Sequence, residues 1–592
     1  MRTRLGLALL LLACRPAAPT TPPPEPVSPW QNPPPVAADR LQKHLAFLAD
    51  DAQEGRAPGT AADQRVQQHI EAAFKELGLQ PGFGASFTQP FEVTDGVRLQ
   101  ANQTAHLKIG KADLPLELVP WSHATTAPIE APLVYIGHGV SDDPKLAELI
   151  KGAIVVARAG APQDPHLDPT RTRAQNKLIA ARDRGAVGFI LWDPDSDLPY
   201  PNHGEANDLT IPAVAVGKAG TPALLAAFAS KKTSRPSGPG QTPTPEDLHA
   251  GLVAGKKAKG KASLHTPVER IVLTTANVAA VLPGTGPKRI ILGAHMDHLG
   301  LGTASSLAPG ERAVHNGADD NASGVAAMLA LASALTAVDP KQRPYSVQFV
   351  AFGAEEMGLL GSKHLVAQLS DSDKQAILAM LNFDMVGRLQ GDSLVVSGVG
   401  TSSAWPKLLE QAAAGGLKIR PSEDGFGASD QTSFYAAGIP VLHFFSGTHS
   451  DYHKPSDDLD KINVPGAVAI SDLTVHLIAL LMKDQPTLDY VKVTAAAPAR
   501  GGFRVSLGTV PDYAAKVDGV QIADARPGGP AATAGLKTGD IITRLGARDI
   551  HNFDDYMACF AELQPGAEVP IVIRRGDQIL DLKITPAAPT RR

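Results

Sequence analysis

The chain has 592 residues, a formal net charge of −5, 19% charged residues and 43% hydrophobic residues. At about 150 residues per domain, this length predicts three or four domains, and the composition is ordinary for a soluble globular protein. The slightly negative charge implies no broad basic surface, which argues against nucleic acid as a partner. The two cysteines, Cys14 and Cys559, exclude a disulfide framework.

The N-terminal residues 1–13 have the pattern of a signal peptide. They begin with the basic Arg2 and Arg4 and continue in an apolar run that is too short to span a bilayer. The sequence Leu11-Leu12-Ala13-Cys14 resembles a bacterial lipoprotein signal, which implies lipidation of Cys14; an ordinary cleaved signal peptide is the alternative. Residues 14–36 are rich in proline and predict an extended tether. We therefore expect a protein of the cell envelope, anchored to a membrane by an N-terminal lipid, or else periplasmic or extracellular.

Residues 37–99 predict the first part of a folded domain. Val66, Ile70 and Phe74 recur at helical spacing, and Gly78 follows as a stop signal. The turn-rich loop 54–60 lies ahead of this helix and is interpreted as a connection.

Residues 100–250 contain an inserted unit with its own pattern. Short apolar strands are predicted at 133–137, 153–157, 185–191 and 211–216, with a helix at 172–184. This order resembles a β-rich protease-associated (PA) domain, and an unclassified α/β insertion is the alternative. Residues 230–265, which include the basic cluster 256–261, are interpreted as the exit linker.

Residues 266–486 alternate strands and helices. Strands are predicted at 289–294, 346–352, 376–383 and 440–445, and a helix at 322–338. This alternation predicts an α/β fold with a mainly parallel mixed sheet flanked by helices. Because such sheets bind ligands beyond the carboxyl ends of their strands, the polar residues that follow these strands are candidate site residues.

The candidate ligands are histidine and carboxylate side chains near these strand ends. Imidazole nitrogen and carboxylate oxygen suit zinc or a similar divalent ion. The five candidates are His295, Asp320, Glu356, Asp384 and His453.

Five segments in this order resemble the M28 family of zinc peptidases, whose members include dizinc aminopeptidases. The segments are Ala294-His295-Met296-Asp297, residues 317–324, Glu355-Glu356, residues 382–387 and residues 452–457. The resemblance covers about 37–100 and 266–486, and inserted PA and appended PDZ domains also occur in this family. It implies the zinc-peptidase fold and two zinc ions per chain, although other divalent ions are possible.

Carried over by position, the resemblance implies a role for each of these residues. His295 and Asp384 would hold one zinc, Glu356 and His453 the other, and Asp320 would bridge both. Glu355 would be the general base that takes a proton from the attacking water.

Two further aspartates are expected to support the ligands. Asp297 is placed to accept a hydrogen bond from the imidazole of His295 through its carboxylate, and Asp457 is expected to support the loop of His453. Four other histidines are interpreted as structural or solvent-exposed: His298, His315, His443 and His449.

The segment 429–434 departs from the family pattern. Some relatives carry His or Tyr where Gln431 stands, and others have a tyrosine where this chain has Phe426. A group that stabilises the oxyanion is expected here. Gln431 is therefore a candidate oxyanion or substrate contact.

Residues 500–590 form a separate C-terminal unit. The sequence from Gly528 to Ile542 resembles the core of a PDZ domain. The loop Leu507-Gly508-Thr509-Val510 is a candidate site for the terminal carboxylate of a peptide that adds a strand to the sheet edge. A PDZ fold used only for packing is the alternative.

The resemblance implies a zinc-dependent exopeptidase that acts on peptides, with the family leaning towards aminopeptidases. A single-zinc glutaminyl cyclase, which shares the fold, is one alternative. A non-catalytic binding protein whose PA and PDZ modules carry the function is another.

Overall fold

The computed structural model describes residues 29–587 except 142, 163–170, 172, 197–207, 230–251, 304, 309–310, 415, 494–504, 512–514, 516, 526–527, 552–554, 557–558 and 561–562. The predicted signal peptide, Cys14 and much of the tether therefore lie outside the described residues.

Two helices and two strands precede the insertion: α1 (Ala38–Leu48), α2 (Ala61–Glu76), β1 (Gln80–Pro81) and β2 (Thr88–Leu99). The side chain of Thr60 caps α2 by accepting the N–H of Asp63. Val66, Ile70 and Phe74 form the buried face of α2, so the helix predicted from their spacing is confirmed.

The insertion has its own sheet and two apolar clusters. Its elements are β3 (His106–Ile109), β4 (Ala112–Leu114), β5 (Glu117–Leu118), β6 (Ile129–Tyr135), α3 (Pro144–Ile150), β7 (Ile154–Arg158), α4 (Ala174–Asp183), β8 (Gly188–Trp192), β9 (Ala213–Val216), α5 (Thr221–Phe228) and β10 (Lys256–His265). The strand order is β4-β3-β10-β6-β7-β8-β9-β5, with β6 to β9 parallel. The four strands and the helix predicted here are confirmed.

The linker prediction is wrong for the basic cluster 256–261. These residues begin β10, which pairs with both β3 and β6 in the middle of the insertion sheet. Lys257, Lys259 and Lys261 point to solvent, whereas Ala262 and Leu264 are buried. The high lysine content favours a solvated linker, but the alternation of these lysines with small and apolar residues is a strand pattern.

The main domain is built on a second sheet. Its elements are β11 (Val268–Leu282), β12 (Arg289–His295), α6 (Gly324–Thr336), β13 (Ser346–Phe352), α7 (Leu360–Ala367), α8 (Asp371–Ala376), β14 (Ile377–Phe383), β15 (Ser393–Ser397), α9 (Trp405–Ala412), β16 (Lys418–Ser422), α10 (Gln431–Ala436), β17 (Val441–Phe445) and α11 (Val464–Asp484). The order is β1-β11-β13-β12-β14-β17-β15-β16, with β2 on β11. Strands β13, β12, β14 and β17 run parallel. The predicted α/β fold with a mainly parallel mixed sheet is confirmed.

Helix α11 is the one helix among the described residues that is long and apolar enough to cross a membrane. Much of it is buried inside the domain, where it packs against α1, α6 and α9. It is therefore a core helix of the main domain.

The C-terminal unit forms a smaller sheet over its own core. Its elements are β18 (Thr509–Pro511), β19 (Val520–Ala525), α12 (Pro530–Thr533), β20 (Ile541–Leu545), β21 (Arg548–Asp549), β22 (Val569–Arg575) and β23 (Gln578–Ile584). The strand order is β18-β19-β20-β22-β23, with β21 on β20. This β-rich unit agrees with the prediction for residues 500–590.

Candidate metal centre

The parallel strands bring the predicted ligands to one edge of the main sheet. β12 ends at His295, which lies in register with Phe352 at the end of β13, and β14 ends one residue before Asp384. Since these strands are parallel neighbours, their carboxyl ends meet at the same edge. Side chains that are far apart in the sequence thus converge there.

The first group of candidate ligands surrounds Nε2 of His295. This nitrogen lies 3.2 Å from Oδ1 of Asp320 and 3.5 Å from Oδ1 of Asp384. In a tetrahedral zinc site with bonds of about 2.0–2.1 Å, neighbouring ligand atoms lie roughly 3.3 Å apart. Both distances match those between neighbouring ligands of one small cation, and one ligand atom from each of the three residues lies within 4.8 Å of the other two.

The second group uses the other oxygen of Asp320. Nε2 of His453 lies 3.3 Å from Oδ2 of Asp320 and 3.1 Å from Oε2 of Glu356. The two oxygens of one carboxylate thus face the two groups. This is the arrangement required of a bridging ligand.

Burial and missing hydrogen bonds also fit a metal. Nε2 of His453 and Oδ1 of Asp384 are buried and make no hydrogen bond to any part of the chain that the structure describes. Buried polar atoms without partners are rare, and an unseen ion is one of the few explanations for them. The donor set of imidazole and carboxylate is one that zinc accepts.

The pKa shifts of the two histidines show that their surroundings favour positive charge. Burial alone would lower the pKa of His453, but the charge of Glu356 and the close approach of the Asp320 and Glu356 carboxylates raise it to about 11. Burial likewise opposes the charged form of His295, yet Glu355 and Asp384 raise its pKa well above the ordinary value. A dication can supply this positive charge in place of the two protons.

The two adjacent glutamates differ in their surroundings. Burial would raise the pKa of Glu356, but His453 and His298 lower it to about 2. Burial, with the like charges of Glu356 and Asp430, raises the pKa of Glu355 well above its ordinary value. Oε2 of Glu355 lies 3.9 Å from Nε2 of His295, beside the first group of ligands.

Asp297 supports the site differently from the sequence expectation. Nδ1 of His295 hydrogen-bonds the backbone carbonyl of Asp297 at 3.2 Å, while the Asp297 carboxylate is 3.9 Å away. That carboxylate instead accepts the backbone N–H groups of Glu355 at 3.0 Å and Glu356 at 3.2 Å. Asp297 therefore fixes the turn that carries both glutamates.

Asp457 also acts on a different loop from the one expected. Its Oδ2 accepts the backbone N–H groups of Asp319 at 3.0 Å and Asp320 at 3.1 Å. It thus holds the irregular turn of residues 318–323, in which the Asp320–Asn321 peptide bond is cis.

Two histidines that sequence reasoning set aside lie in the site. Nδ1 of His298 is 2.6 Å from Oε1 of Glu356, and Nε2 of His449 is 3.2 Å from Oδ2 of Asp319. Asp320, Glu356 and His298 also form a compact group that could hold a metal ion. The spacing of three residues between His295 and His298 is the sequence signal that could have identified His298 as a site residue. His315 is buried and hydrogen-bonds the hydroxyl of Ser306, which also contacts the backbone carbonyl of His453.

Tyr452 and Gln431 occupy different surroundings. The Tyr452 ring stacks on His453 with centroids 3.9 Å apart. Burial, with the charges of Asp320, Glu356, Glu355 and Asp384, raises the pKa of Tyr452, so its phenol stays protonated at neutral pH. Gln431 is buried, and its Oε1 accepts the amide of Asn382 at 3.0 Å.

The candidate carboxylate loop of the C-terminal unit adjoins β18. Leu507 is buried, and Gly508 has a φ of +68°. Thr509 and Val510 pair with β19, and the Thr509 hydroxyl contacts the phenol of Tyr556. One edge of β18 is thus occupied by β19.

Comparisons with known proteins identify two regions of the chain. Residues 277–478 match the model of peptidase family M28, and residues 493–585 match the model of the PDZ domain.

Several curated relatives are aminopeptidases by name. Aminopeptidase YwaD of Bacillus subtilis is 31% identical over 197 residues, which is 32% of this chain and 42% of the relative. The leupeptin-inactivating enzyme 1 of Streptomyces exfoliatus is 34% identical over 191 residues, which is 32% of this chain and 39% of the relative. The chain thus spans about two fifths of the length of these relatives.

A longer alignment and a solved structure extend the likeness beyond the matched domain. The probable lipoprotein aminopeptidase LpqL of Mycobacterium tuberculosis is 25% identical over 476 residues, covering 72% of this chain and 81% of the relative. The structure of BSAP, a zinc aminopeptidase from Bacillus subtilis, aligns with a TM-score of 0.52 at 23% identity. It covers 77% of this chain and 96% of that one, which shows a common fold.

Proposed function

From a chain that carries a peptidase family M28 domain and a C-terminal PDZ domain, we propose a zinc-dependent aminopeptidase that removes N-terminal residues from peptides. The observation that carries the proposal is the spacing around Asp320, whose two oxygens each face a separate histidine and carboxylate. The names of the relatives support the aminopeptidase assignment over a carboxypeptidase.

The proposed centre would hold two zinc ions. His295 and Asp384 would hold one, Glu356 and His453 would hold the other, and Asp320 would serve both. When bound, such a pair supplies Lewis acidity towards the scissile carbonyl and lowers the pKa of water to about 7.

The remaining steps belong to the side chains around the centre. Glu355 is not needed as a ligand and takes the proton of the attacking water, then returns it to the leaving amine. Burial and the like charges of Glu356 and Asp430 raise the pKa of Glu355, which favours uptake of a proton by this carboxylate. The phenol of Tyr452 is the donor we assign to the developing oxyanion. Gln431, which already accepts from Asn382, is a wall of the site in this proposal.

Location and accessory domains complete the proposal. The lipoprotein-like Cys14 sequence and the relative named a lipoprotein aminopeptidase support an enzyme held in the cell envelope by an N-terminal lipid. The insertion is proposed to be a PA domain over residues 100–265. The PDZ domain is proposed to bind a peptide C-terminus through the loop at Leu507 and Gly508.

Metal titration against activity tests the number of ions. Zinc is added to the chelator-stripped soluble form, and hydrolysis of an aminoacyl substrate is followed together with bound zinc. The proposal predicts that activity saturates at two zinc ions per chain. Saturation at one ion with pyroglutamate formation from an N-terminal glutamine would favour a glutaminyl cyclase and contradict it. Bound zinc without hydrolysis of any aminoacyl substrate or dipeptide would favour the non-catalytic reading.

A further inference from the structure

The loop 54–60, interpreted from sequence as a connection, packs against backbone segments next to the candidate metal centre. Gly55 has a φ of +67°, and a β-carbon on it would lie 2.4 Å from the carbonyl oxygen of Gly300 and 2.6 Å from that of His315. Glu54 and Arg56 also have left-handed backbones, with φ of 47° and 53°. Such a costly conformation persists only where surrounding contacts impose it. The loop is therefore built for close contact with the chain around residues 296–317.

The guanidinium of Arg56 is almost fully buried, and its hydrogen-bond partners among the described residues are backbone carbonyls. Nε donates to the carbonyl of Met296 at 2.9 Å, and Nη2 donates to that of Gly317 at 3.1 Å. Nη1 donates to the carbonyls of Leu48 at 2.7 Å and Asn316 at 2.5 Å. The planar fork thus joins three separate segments of backbone in one geometry.

Two of those segments carry the proposed ligands. Met296 directly follows His295, and Gly317 lies three residues before Asp320. The backbone of the loop adds two further bonds, because the carbonyls of Gly55 and Arg56 accept the N–H groups of Gly300 at 2.9 Å and His298 at 3.3 Å. The 296–300 segment is thereby held from two sides.

The charge of Arg56 is compatible with this position. Burial lowers its pKa to about 10, while the nearby carboxylates of Asp297, Asp320, Asp457 and Glu356 act in the opposite direction. The guanidinium is therefore charged at neutral pH. Its positive charge offsets part of the mutual repulsion of the buried acids.

We propose that Arg56 is a positioning residue of the metal centre, which fixes the loops of His295 and Asp320 at ligand spacing before any metal binds. This inference rests on the proposed dizinc function. Arg56 touches neither the metals nor the substrate, and it acts through the carbonyls of Met296, Asn316 and Gly317. Mutation of residues that orient metal ligands in this way commonly weakens metal affinity by roughly 10–100-fold.

Replacement of Arg56 with lysine tests the role of the fork. Arg56→Lys keeps the positive charge, so the repulsion of a dication is unchanged, but a single ammonium group cannot span the four carbonyls. Zinc affinity is measured by competition with a chelator, and we expect it to fall at least about tenfold. Arg343→Lys is the matched control, because Arg343 is also buried but precedes β13 at the opposite end of the parallel strands. Its zinc affinity should equal that of the wild type.

Two results of this comparison would overturn the inference. One is a zinc affinity of Arg56→Lys within about twofold of the wild type. The other is an equal loss of zinc affinity in Arg343→Lys. Failure of the wild type to bind zinc would instead refute the proposed function itself, which keeps the two outcomes distinct.

If Arg56→Lys does not fold, amide hydrogen exchange of the wild type tests the inference. The N–H groups of His298, Gly300 and His315 should stay protected after zinc is stripped; rapid exchange there would show that the metal, and not Arg56, orders the loops.

Discussion

Two neighbouring glutamates at the end of β13 acquire different properties from their surroundings. Successive side chains of an extended segment point to opposite faces, so Glu355 and Glu356 need a local turn to reach one site. Ala354, with a φ of 54°, supplies that turn. His298 and His453 then hold Glu356 ionised, while Glu355 lies beside His295 with a raised pKa. Glu356 can therefore serve as a metal ligand, and the neighbouring Glu355 can serve as a base.

Asp297 is the residue whose loss should disturb this turn most directly. Asp297→Asn can accept only one of the two backbone N–H groups well, because its amide nitrogen would face the other. We expect kcat/KM to fall at least about tenfold and zinc affinity to weaken by a similar factor. Steady-state kinetics and chelator competition measure both. Asp339→Asn, at an exposed cap at the far end of the sheet, is the control and should leave both values unchanged. Wild-type zinc affinity and kinetics in Asp297→Asn would show that its carboxylate does not fix the turn.

At the scale of single residues, the strand pattern points to the residues that end strands, and the resemblance to the M28 family adds Asp320 and His453, which lie on loops. His295 and Asp384 follow from the strand pattern, whereas Arg56 comes from a segment distant in sequence. Its role depends on left-handed backbone at residues 54–56, which leaves no periodic signal. The sequence offers only a weak signal for His298, because its spacing of three residues from His295 does not separate a site residue from a structural histidine.

Helices α1 and α2 meet through a pair of histidines on the outer side of the main domain. Nδ1 of His44 lies 3.0 Å from Nε2 of His69, and the His69 ring stacks on Phe47 with centroids 3.8 Å apart. One ring nitrogen must donate and the other accept, so the pair requires neutral imidazole. Burial, together with the charge of His69, lowers the pKa of His44 from 6.5 to about 4.

This pair predicts a specific acid sensitivity. Because the pKa of His44 is lower in the folded chain, the unfolded chain binds more protons between about pH 6.5 and pH 4, and stability falls as the pH drops through that window. The loss should be roughly 1–3 kcal/mol, given that the pair is partly solvated. Denaturant unfolding of the zinc-free protein at several pH values measures it. In His44→Gln the free energy of unfolding should fall less over the same window, and parallel curves for the two proteins would contradict the prediction.

The elements of the main domain were predictable because its strands are apolar and bounded by turns. The strand β10 was not, since its outward lysines hid the alternation of Ala262 and Leu264 on the buried face. Composition alone classified a strand as a linker. Pairing with β3 and β6, which lie far away in sequence, could not be read from the local pattern.

At the scale of the whole molecule, the PDZ unit contacts the insertion through a buried ion network. Arg182 of α4 lies 2.8 Å from Asp183 and 2.7 Å from Asp555, and Asp183 also pairs with Arg548. Asp555 is fully buried, and the side chain of Arg182 is 10% exposed. Buried pairs of this kind are costly to break from one side, because an unpaired charge remains.

Arg182→Ala should therefore release the PDZ unit from the insertion. Loss of the Arg182 partner from the buried carboxylate of Asp555 would cost about 3–5 kcal/mol if both units stayed in place, so separation of the units is favoured. Small-angle scattering should report a larger radius of gyration, and limited proteolysis should free the PDZ fragment faster than in the wild type. Arg544→Ala removes an exposed ion pair with Asp549 inside the PDZ unit and is the control. Unchanged scattering and proteolysis in Arg182→Ala would exclude a role for the network in docking.

The most direct test of the proposed function compares one peptide with its N-acetylated form. Both are digested by the zinc-loaded enzyme, and the products are followed by mass spectrometry. An aminopeptidase with Glu355 as its base should remove successive residues from the free N-terminus and leave the acetylated peptide intact. Glu355→Gln should retain about two zinc ions per chain and cleave neither peptide. Shortening from the carboxyl end, equal cleavage of both peptides, or full activity in Glu355→Gln would contradict the proposed function.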